Sequence, residues 1–312
     1  MTNISKGWTP TRRSILKYGA GISAASILPT TRVSSATAIK KRAIPKSGEM
    51  LPIVGIGTSR VFDIGNDQAE WRERQGVLQN LFDGGGTVID TAPSYQDAEE
   101  VIGKLLTRMK ARERAFIATK VWADGLEEGR EQIENSFKLL KTDKIDLFQV
   151  HNLSDTDTQL DTLSGLKKEG RIRYVGITHY LAGYNQELAA AMRKHNPDFV
   201  QLGYSLNQIS TETDLLPIAK DLGIAVIVNR PYGRGSMFRQ VRGRKLPNWA
   251  KEFDAKSWGQ FFLKYILGHP TVTCVIPGTD KVKYMLDNLE AGRGRMPDPE
   301  MRKRMLSYWQ DI

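Results

Sequence analysis

Asp90, Tyr95, Lys120 and His151 bring together an acid, a phenol, an amine and an imidazole, each placed at or just beyond a short apolar run. The runs are Thr87-Val88-Ile89 before Asp90, Ala115-Phe116-Ile117-Ala118 before Lys120, and Ile145-Asp146-Leu147-Phe148-Gln149-Val150 before His151. A phenol ionises only near about pH 10, so one that gives a proton to a carbonyl oxygen at neutral pH needs a cation close by to stabilise the phenolate it becomes. Lys120 can be that cation, and Asp90 can be its counterion in a partly dry cleft. His151 can hydrogen-bond the carbonyl and fix its orientation. Such a set would polarise and protonate a C=O while hydride arrives from another molecule. Taken singly, each residue has an ordinary explanation: Asp90 could cap the loop Thr91-Ala92-Pro93, Tyr95 could be a rim aromatic, Lys120 a solvated strand end, and His151 a satisfied rim histidine. It is their joint occurrence at three successive strand ends that favours a site.

The elements needed to position them are legible as strand-then-helix units. Candidate strands are 53–57, 87–90, 115–120, 145–151, 174–178, 199–204, 225–229 and 273–276, each short and rich in β-branched or aromatic residues. Helical patterns cover 67–82, 98–109, 129–140, 159–169, 186–194, 214–221 and 255–267, with 281–289 after the last strand. Val101, Ile102, Leu105, Leu106 and Met109 line one face of the second, and Ile133, Phe137 and Leu140 one face of the third. Glycines at 84–86, 170 and 223 suit left-handed helix ends. Eight such pairs in the 274 residues from position 39 onward match a (β/α)8 TIM barrel, in which the loops after the strand C-termini carry the chemistry. The stretch 233–254, with Arg234, Arg239, Arg242, Arg244 and Lys245, is long for a compact connection and reads as an irregular mobile or functional loop.

Residues 1–38 stand apart. Thr11-Arg12-Arg13-Ser14-Ile15-Leu16-Lys17 precedes an apolar stretch from Tyr18 to Leu28 and a small-residue site at Ala36-Thr37-Ala38, the order of a twin-arginine export signal. The apolar part is far shorter than the about 20 residues of a spanning helix, so stable membrane insertion is not expected. The expected partner is the twin-arginine translocase, and the expected location is the periplasm or another exported compartment. Removing Lys6, Arg12, Arg13, Lys17 and Arg32 takes the formal charge from +10 to +5. That modest, scattered excess argues against nucleic acid. The single cysteine, Cys274, sits in the strand-like run Val272-Thr273-Cys274-Val275-Ile276 and allows no internal disulfide. No His or Cys pair has metal-ligand spacing, and Gly55-Ile56-Gly57-Thr58-Ser59-Arg60 lacks the third glycine of a dinucleotide fingerprint.

Several segments in order carry a resemblance to a known family. Gly55-Ile56-Gly57-Thr58, Asp90-Thr91-Ala92-Pro93-Ser94-Tyr95, Ala118-Thr119-Lys120-Val121-Trp122, Leu147-Phe148-Gln149-Val150-His151, Tyr174-Val175-Gly176-Ile177-Thr178, Val200-Gln201-Leu202 and Ile276-Pro277-Gly278-Thr279 through Asn288 resemble the aldo-keto reductases across nearly all of 50–291. The resemblance implies a nicotinamide cofactor, NADP or NAD, lying across the strand C-termini, and a small aldehyde or ketone as substrate. It implies Tyr95 as general acid tuned by Lys120 and Asp90, with His151 orienting the substrate and Trp122 forming an aromatic wall. Gln201, with Thr178 and His179 where the family usually has Ser and Asn, would hold the carboxamide. Gly57, Thr58, Asn229, Arg230 and Pro231 would border the cofactor. Its phosphates would lie against Gly233-Arg234-Gly235-Ser236 and the helix after Gly278-Thr279, with Asn288 beyond.

The departures are specific. After strand seven the family's common Tyr-Ser-Pro-Leu is Asn229-Arg230-Pro231-Tyr232 here, so the tyrosine that stacks on the nicotinamide is missing at its usual place, and Tyr204 is a possible substitute. Gly278 and Tyr284 stand where NADP-preferring members often have lysine and arginine, leaving Lys281 and Lys283 for a 2′-phosphate. Two other functions compete with reduction. One is a cofactor-bound redox-sensing or scaffold protein of the same fold. The other is a barrel isomerase or aldolase using Lys120 as a Schiff base, disfavoured because an adjacent carboxylate keeps an amine protonated.

Overall fold

The computed structural model describes residues 1–2 and 38–312. The twin-arginine segment and the apolar stretch behind it lie outside the described residues. An antiparallel hairpin opens the body, β1 (Lys41–Ala43) with β2 (Met50–Pro52). A parallel sheet follows, built from β3 (Ile56–Gly57), β4 (Val88–Asp90), β5 (Phe116–Val121), β6 (Ile145–His151), β7 (Ile172–His179), β8 (Phe199–Gly203), β9 (Ala225–Asn229) and β10 (Val272–Val275). Its eight strands pair in sequence order. Parallel bridges from Val54 to Val275 and from Gly57 to Gly278 join the two edges and close a (β/α)8 barrel. Around it run α1 (Gln68–Asp83), α2 (Ala98–Met109), α3 (Leu126–Leu140), α4 (Thr156–Lys168), α5 (Asn185–His195), α6 (Thr211–Asp214), α7 (Leu216–Asp221), α8 (Ser236–Gln240), α9 (Trp258–Leu267), α10 (Val282–Ala291) and α11 (Pro299–Gln310).

Alternation along the strands explains how polar residues reach the mouth. Successive side chains of a strand point to opposite faces, and one buried cluster holds Val88, Phe116, Ala118, Leu147, Tyr174, Phe199, Ala225, Ile227, Cys274 and Ile276, the inward positions. Continuing each series in steps of two leads to Asp90, Lys120, Gln149 then His151, Gly176 then Thr178, Gln201 and Asn229. The barrel lumen is therefore apolar at the strand N-termini and polar at the C-termini. Ile44 and Leu51, from the hairpin, join the apolar cluster and plug its lower end.

The structure differs from the sequence reading in five places. The expected strand 53–57 survives only as the two-residue β3, with Met50–Pro52 spent on the hairpin. The helix expected over 214–221 is two short pieces broken at Leu215, whose φ of −120° is not helical, with Pro217 in the first turn of the second piece. The helix expected from Ala255 starts at Trp258, where the Ser257 side chain accepts the Gln260 N–H at 3.0 Å. Stretch 233–254 is folded rather than irregular: α8 and a 3₁₀ segment (Asn248–Phe253) bury Met237, Val241, Ala250 and Phe253. Finally, α11 had no counterpart in the sequence reading. Asp298 caps it by accepting the Met301 N–H at 2.8 Å, and it buries Met305 and Trp309.

Candidate active site

Asp90, Lys120 and His151 occupy adjacent inward positions on β4, β5 and β6, and all three are buried. Lys120 Nζ donates to Asp90 Oδ1 at 2.8 Å, to Asp90 Oδ2 at 2.9 Å and to the Thr91 carbonyl at 2.7 Å. Burial penalises the ammonium, but the carboxylate of Asp90, by its charge and its hydrogen bonds, outweighs that, and the lysine pKa is raised. An amine so held stays protonated and is no nucleophile. The ammonium lies 5.1 Å from the centroid of the Tyr95 ring. Burial raises the pKa of the phenol, while the charge of Lys120 opposes the rise. In the chain alone burial wins, so Tyr95 is a proton donor held ready rather than a phenolate.

His151 stacks edge-on to Tyr95, with ring centroids 6.2 Å apart, and to Trp122, 5.7 Å away. Burial, and then the positive charge of Lys120, depress its pKa to about 3, so the imidazole is neutral at every ordinary pH. Ser94 Oγ lies 3.5 Å from its Nδ1. Trp122 is half exposed on the loop after β5, braced from α3 by Gln132, which accepts the Trp122 N–H at 2.6 Å and donates to its carbonyl at 3.0 Å.

A second polar row continues round the barrel. Gln201 Nε2 donates to Asp90 Oδ1 at 2.6 Å, Asn229 Nδ2 donates to Gln201 Oε1 at 3.2 Å, and Gln149 Nε2 lies 3.5 Å from the same carboxylate oxygen. Gln149 was missed in the sequence, although it precedes His151 by two residues and so shares its face. Thr178 and His179 end β7; burial lowers the His179 pKa, and its Nδ1 accepts the Leu181 N–H at 3.3 Å. The His179 ring stacks on Tyr184 at 4.0 Å, and the Arg230 guanidinium lies 3.4 Å over Tyr180. Neither tyrosine was singled out in advance. Gly57 pairs with Asp90 in register, and both the N–H and the Oγ1 of Thr58 donate to the Asp90 carbonyl, so this pair braces the strand that carries the acid.

Other expected positions are engaged in holding the fold. Tyr204 is fully buried, and Glu212 and Arg302 bind its hydroxyl, so it is not the missing stacking partner. Asn288 Oδ1 accepts from Tyr232 OH at 2.5 Å, fixing the segment after Pro231 to α10. Gly233 and Gly235 have positive φ, as does Arg234 between them, giving a tight loop at the mouth. Gly278 bridges to Gly57, and Thr279 is buried just ahead of α10. The first turn of α10 already faces a carboxylate, since Val282 N–H donates to Glu73 Oε1 at 3.0 Å. His269 is half-buried, with a pKa pressed down to about 4, first by burial and then by Arg302.

With this geometry in place, comparison with known proteins is decisive at the level of family. The model of the aldo/keto reductase family matches residues 53–304. The chain belongs to that family. An aldo-keto reductase of Strobilurus tenacellus is 30% identical over 269 residues, which is 73% of this chain and 79% of that protein. Methylglyoxal reductase of Escherichia coli strain K12 is 28% identical over 246 residues, 76% of this chain and 84% of the other. Among solved structures, an aldo-keto reductase from Klebsiella pneumoniae in complex with NADPH superposes with a TM-score of 0.73 at 24% identity, covering 87% of this chain and 95% of that one. This aldo-keto reductase thus has the fold and the oxidoreductase class that the resemblance implied. No helix among the described residues is long and apolar enough to cross a membrane.

Proposed function

We propose that this chain reduces a small aldehyde or ketone with NADPH, or with NADH, and does so after export by the twin-arginine translocase. The single observation that carries the reaction is the buried Asp90–Lys120 pair facing the Tyr95 ring across 5.1 Å. The mouth also has the donors and acceptors a nicotinamide needs. Thr91 Oγ1, Gln149 Oε1 and Asn229 Oδ1 are buried there without a hydrogen-bond partner, which is costly unless a bound group satisfies them. Gly57 lets β3 lie close against the segment after β10, since a Cβ there would come within 2.9 Å of the Ile276 carbonyl oxygen.

When bound, the nicotinamide supplies the hydride. Gln201, Thr178 and His179 orient the carboxamide, and Arg230 with the loop at Gly233–Gly235 receives the phosphates. His151, neutral throughout, donates a hydrogen bond to the substrate carbonyl and fixes its angle. Tyr95 gives its proton to the carbonyl oxygen as the alkoxide develops. Lys120 stabilises the phenolate left behind, and Asp90 keeps Lys120 charged. Trp122 closes one side of the pocket and limits access of water.

Export of a protein that folds in the cytoplasm suits a chain that must acquire its cofactor there. The test is to purify the chain from the exported fraction and titrate it with NADPH and NADH, reading nucleotide fluorescence, then to assay a panel of small aldehydes, ketones and sugars. Binding plus turnover that vanishes in Tyr95→Phe supports the reading, and absence of any nucleotide affinity overturns it. Recovery of the chain only from the cytoplasm, with Arg12 and Arg13 intact, would remove the export step.

A further inference from the structure

Asn229 stands at the end of β9, where the family usually places a stacking tyrosine, and the charge on Asp90 decides how its amide is turned. A carboxylate only accepts hydrogen bonds. Gln201 must therefore present Nε2 to Asp90 Oδ1, as it does at 2.6 Å, and this turns Gln201 Oε1 toward β9. That oxygen in turn requires a donor, so Asn229 presents Nδ2 to it at 3.2 Å. The sense of both amides is set by Asp90, and the row ends on Asn229 Oδ1, an acceptor that is buried and has no partner in the chain.

The opposite flank of Gln201 ends on a donor. His179 Nδ1 accepts the Leu181 N–H, so the proton of the neutral ring resides on Nε2. Arg230, the residue after Asn229, reaches over β8 to lie 3.4 Å from the Tyr180 ring, beside His179 in sequence. The strand ends thus carry an orphan acceptor on β9 and a donor on β7, the two strands that flank β8 and its Gln201. A primary amide, with an NH2 and a C=O, matches such a pair.

We propose that Asn229 positions the nicotinamide carboxamide by accepting its N–H at Oδ1, a hydrogen bond in place of aromatic stacking. The inference rests on the cofactor reading above and adds one contact to it. Loss of a single such bond to a buried acceptor weakens binding about five- to tenfold.

The test compares the nucleotide that the wild-type chain prefers, NADP+ or NAD+, with its 3-acetylpyridine analogue, in which a methyl group replaces the amide NH2 and the carbonyl is kept. Affinity is read from quenching of tryptophan fluorescence, without turnover. The wild type should bind the analogue about five- to tenfold more weakly. Asn229→Leu should bring that ratio down at least about threefold, and Asn229→Ala, which asks for no extra space, should do the same. Equal affinity of the wild type for both nucleotides, or a ratio unchanged in both variants, overturns the role of Asn229 and leaves the reductase reading standing. No affinity of the wild type for either nucleotide overturns both.

Discussion

The two ends of the barrel handle polar side chains in opposite ways. At the closed end, charged donors find acceptors within the chain. Arg42 donates to the carbonyls of Leu267, His269 and Val272, and Lys46 to Asn196 and Pro197. Arg173 bridges Asp146 and Glu49, which also accepts the Tyr174 hydroxyl at 2.6 Å. At the open end an ion pair is buried to a few per cent exposure, and Thr91, Gln149, Asn152 and Asn229 each carry a buried oxygen without a partner. The closed end meets its donors within the chain, whereas the open end presents acceptors that the chain itself does not satisfy.

The largest way to sharpen this contrast is at Tyr95. Tyr95→Phe removes the proton donor and nothing that holds the fold, so kcat for aldehyde reduction should fall about 1,000-fold. Nucleotide affinity should stay within about twofold and the thermal midpoint within about 2 °C. Steady-state kinetics beside a melting curve checks both, and a fall in stability larger than the fall in activity would abolish the distinction between the two ends. At the closed end the converse should hold. Arg42→Ala strips three backbone carbonyls of a charged donor and should cost about 2 kcal/mol in urea unfolding while kcat per folded molecule is unchanged.

Much of the open end was legible in the sequence, because period-two alternation and strand boundaries are local signals. Asp90, Lys120 and His151 end apolar runs, so their common rim could be read without knowing how the barrel closes. Gln149 carried the same signal and was overlooked for lying inside the run rather than at its end. The closed end was hardly legible. Its hairpin is two strands of three residues, and its meaning depends on Arg42 meeting carbonyls more than 220 positions away. The same limit hid α11: Met301, Met305 and Trp309 show a helical stripe after an Asp-Pro start, but Trp309 packs on Phe262 of α9, and the neighbouring Tyr308 on Trp258 and Trp249, partners brought near only by the fold.

Titration offers a finer break. His151 has a folded pKa of about 3 against 6.5 unfolded, so as pH falls below 6.5 the unfolded chain takes up the proton first and the folded state loses stability. Between pH 7 and pH 5 the wild type should lose about 2 kcal/mol relative to His151→Gln, seen in paired urea titrations. Over the same interval the rate of reduction should show no histidine limb, since the folded imidazole stays neutral. A limb centred near pH 6.5 that disappears in His151→Gln would mean that the ring is solvated, and that the mouth is less closed than its burial indicates.

The smallest effect concerns the outer margin of the open end, where α10 starts. Glu73 already accepts the Val282 N–H, and its charge occupies the positive end of a helix that a cofactor phosphate would otherwise share. Lys281 and Lys283 remain exposed on the same turn. Glu73→Gln keeps an acceptor for Val282 and removes the negative charge, which is worth about 0.3–1 kcal/mol at a helix terminus. The affinity for NADPH should rise about two- to threefold, that for NADH should change less, and the difference should shrink in about 0.5 M salt. An equal gain for both nucleotides would mean that the 2′-phosphate does not reach α10, and would move recognition of the phosphates entirely to Arg230 and the Gly233–Gly235 loop.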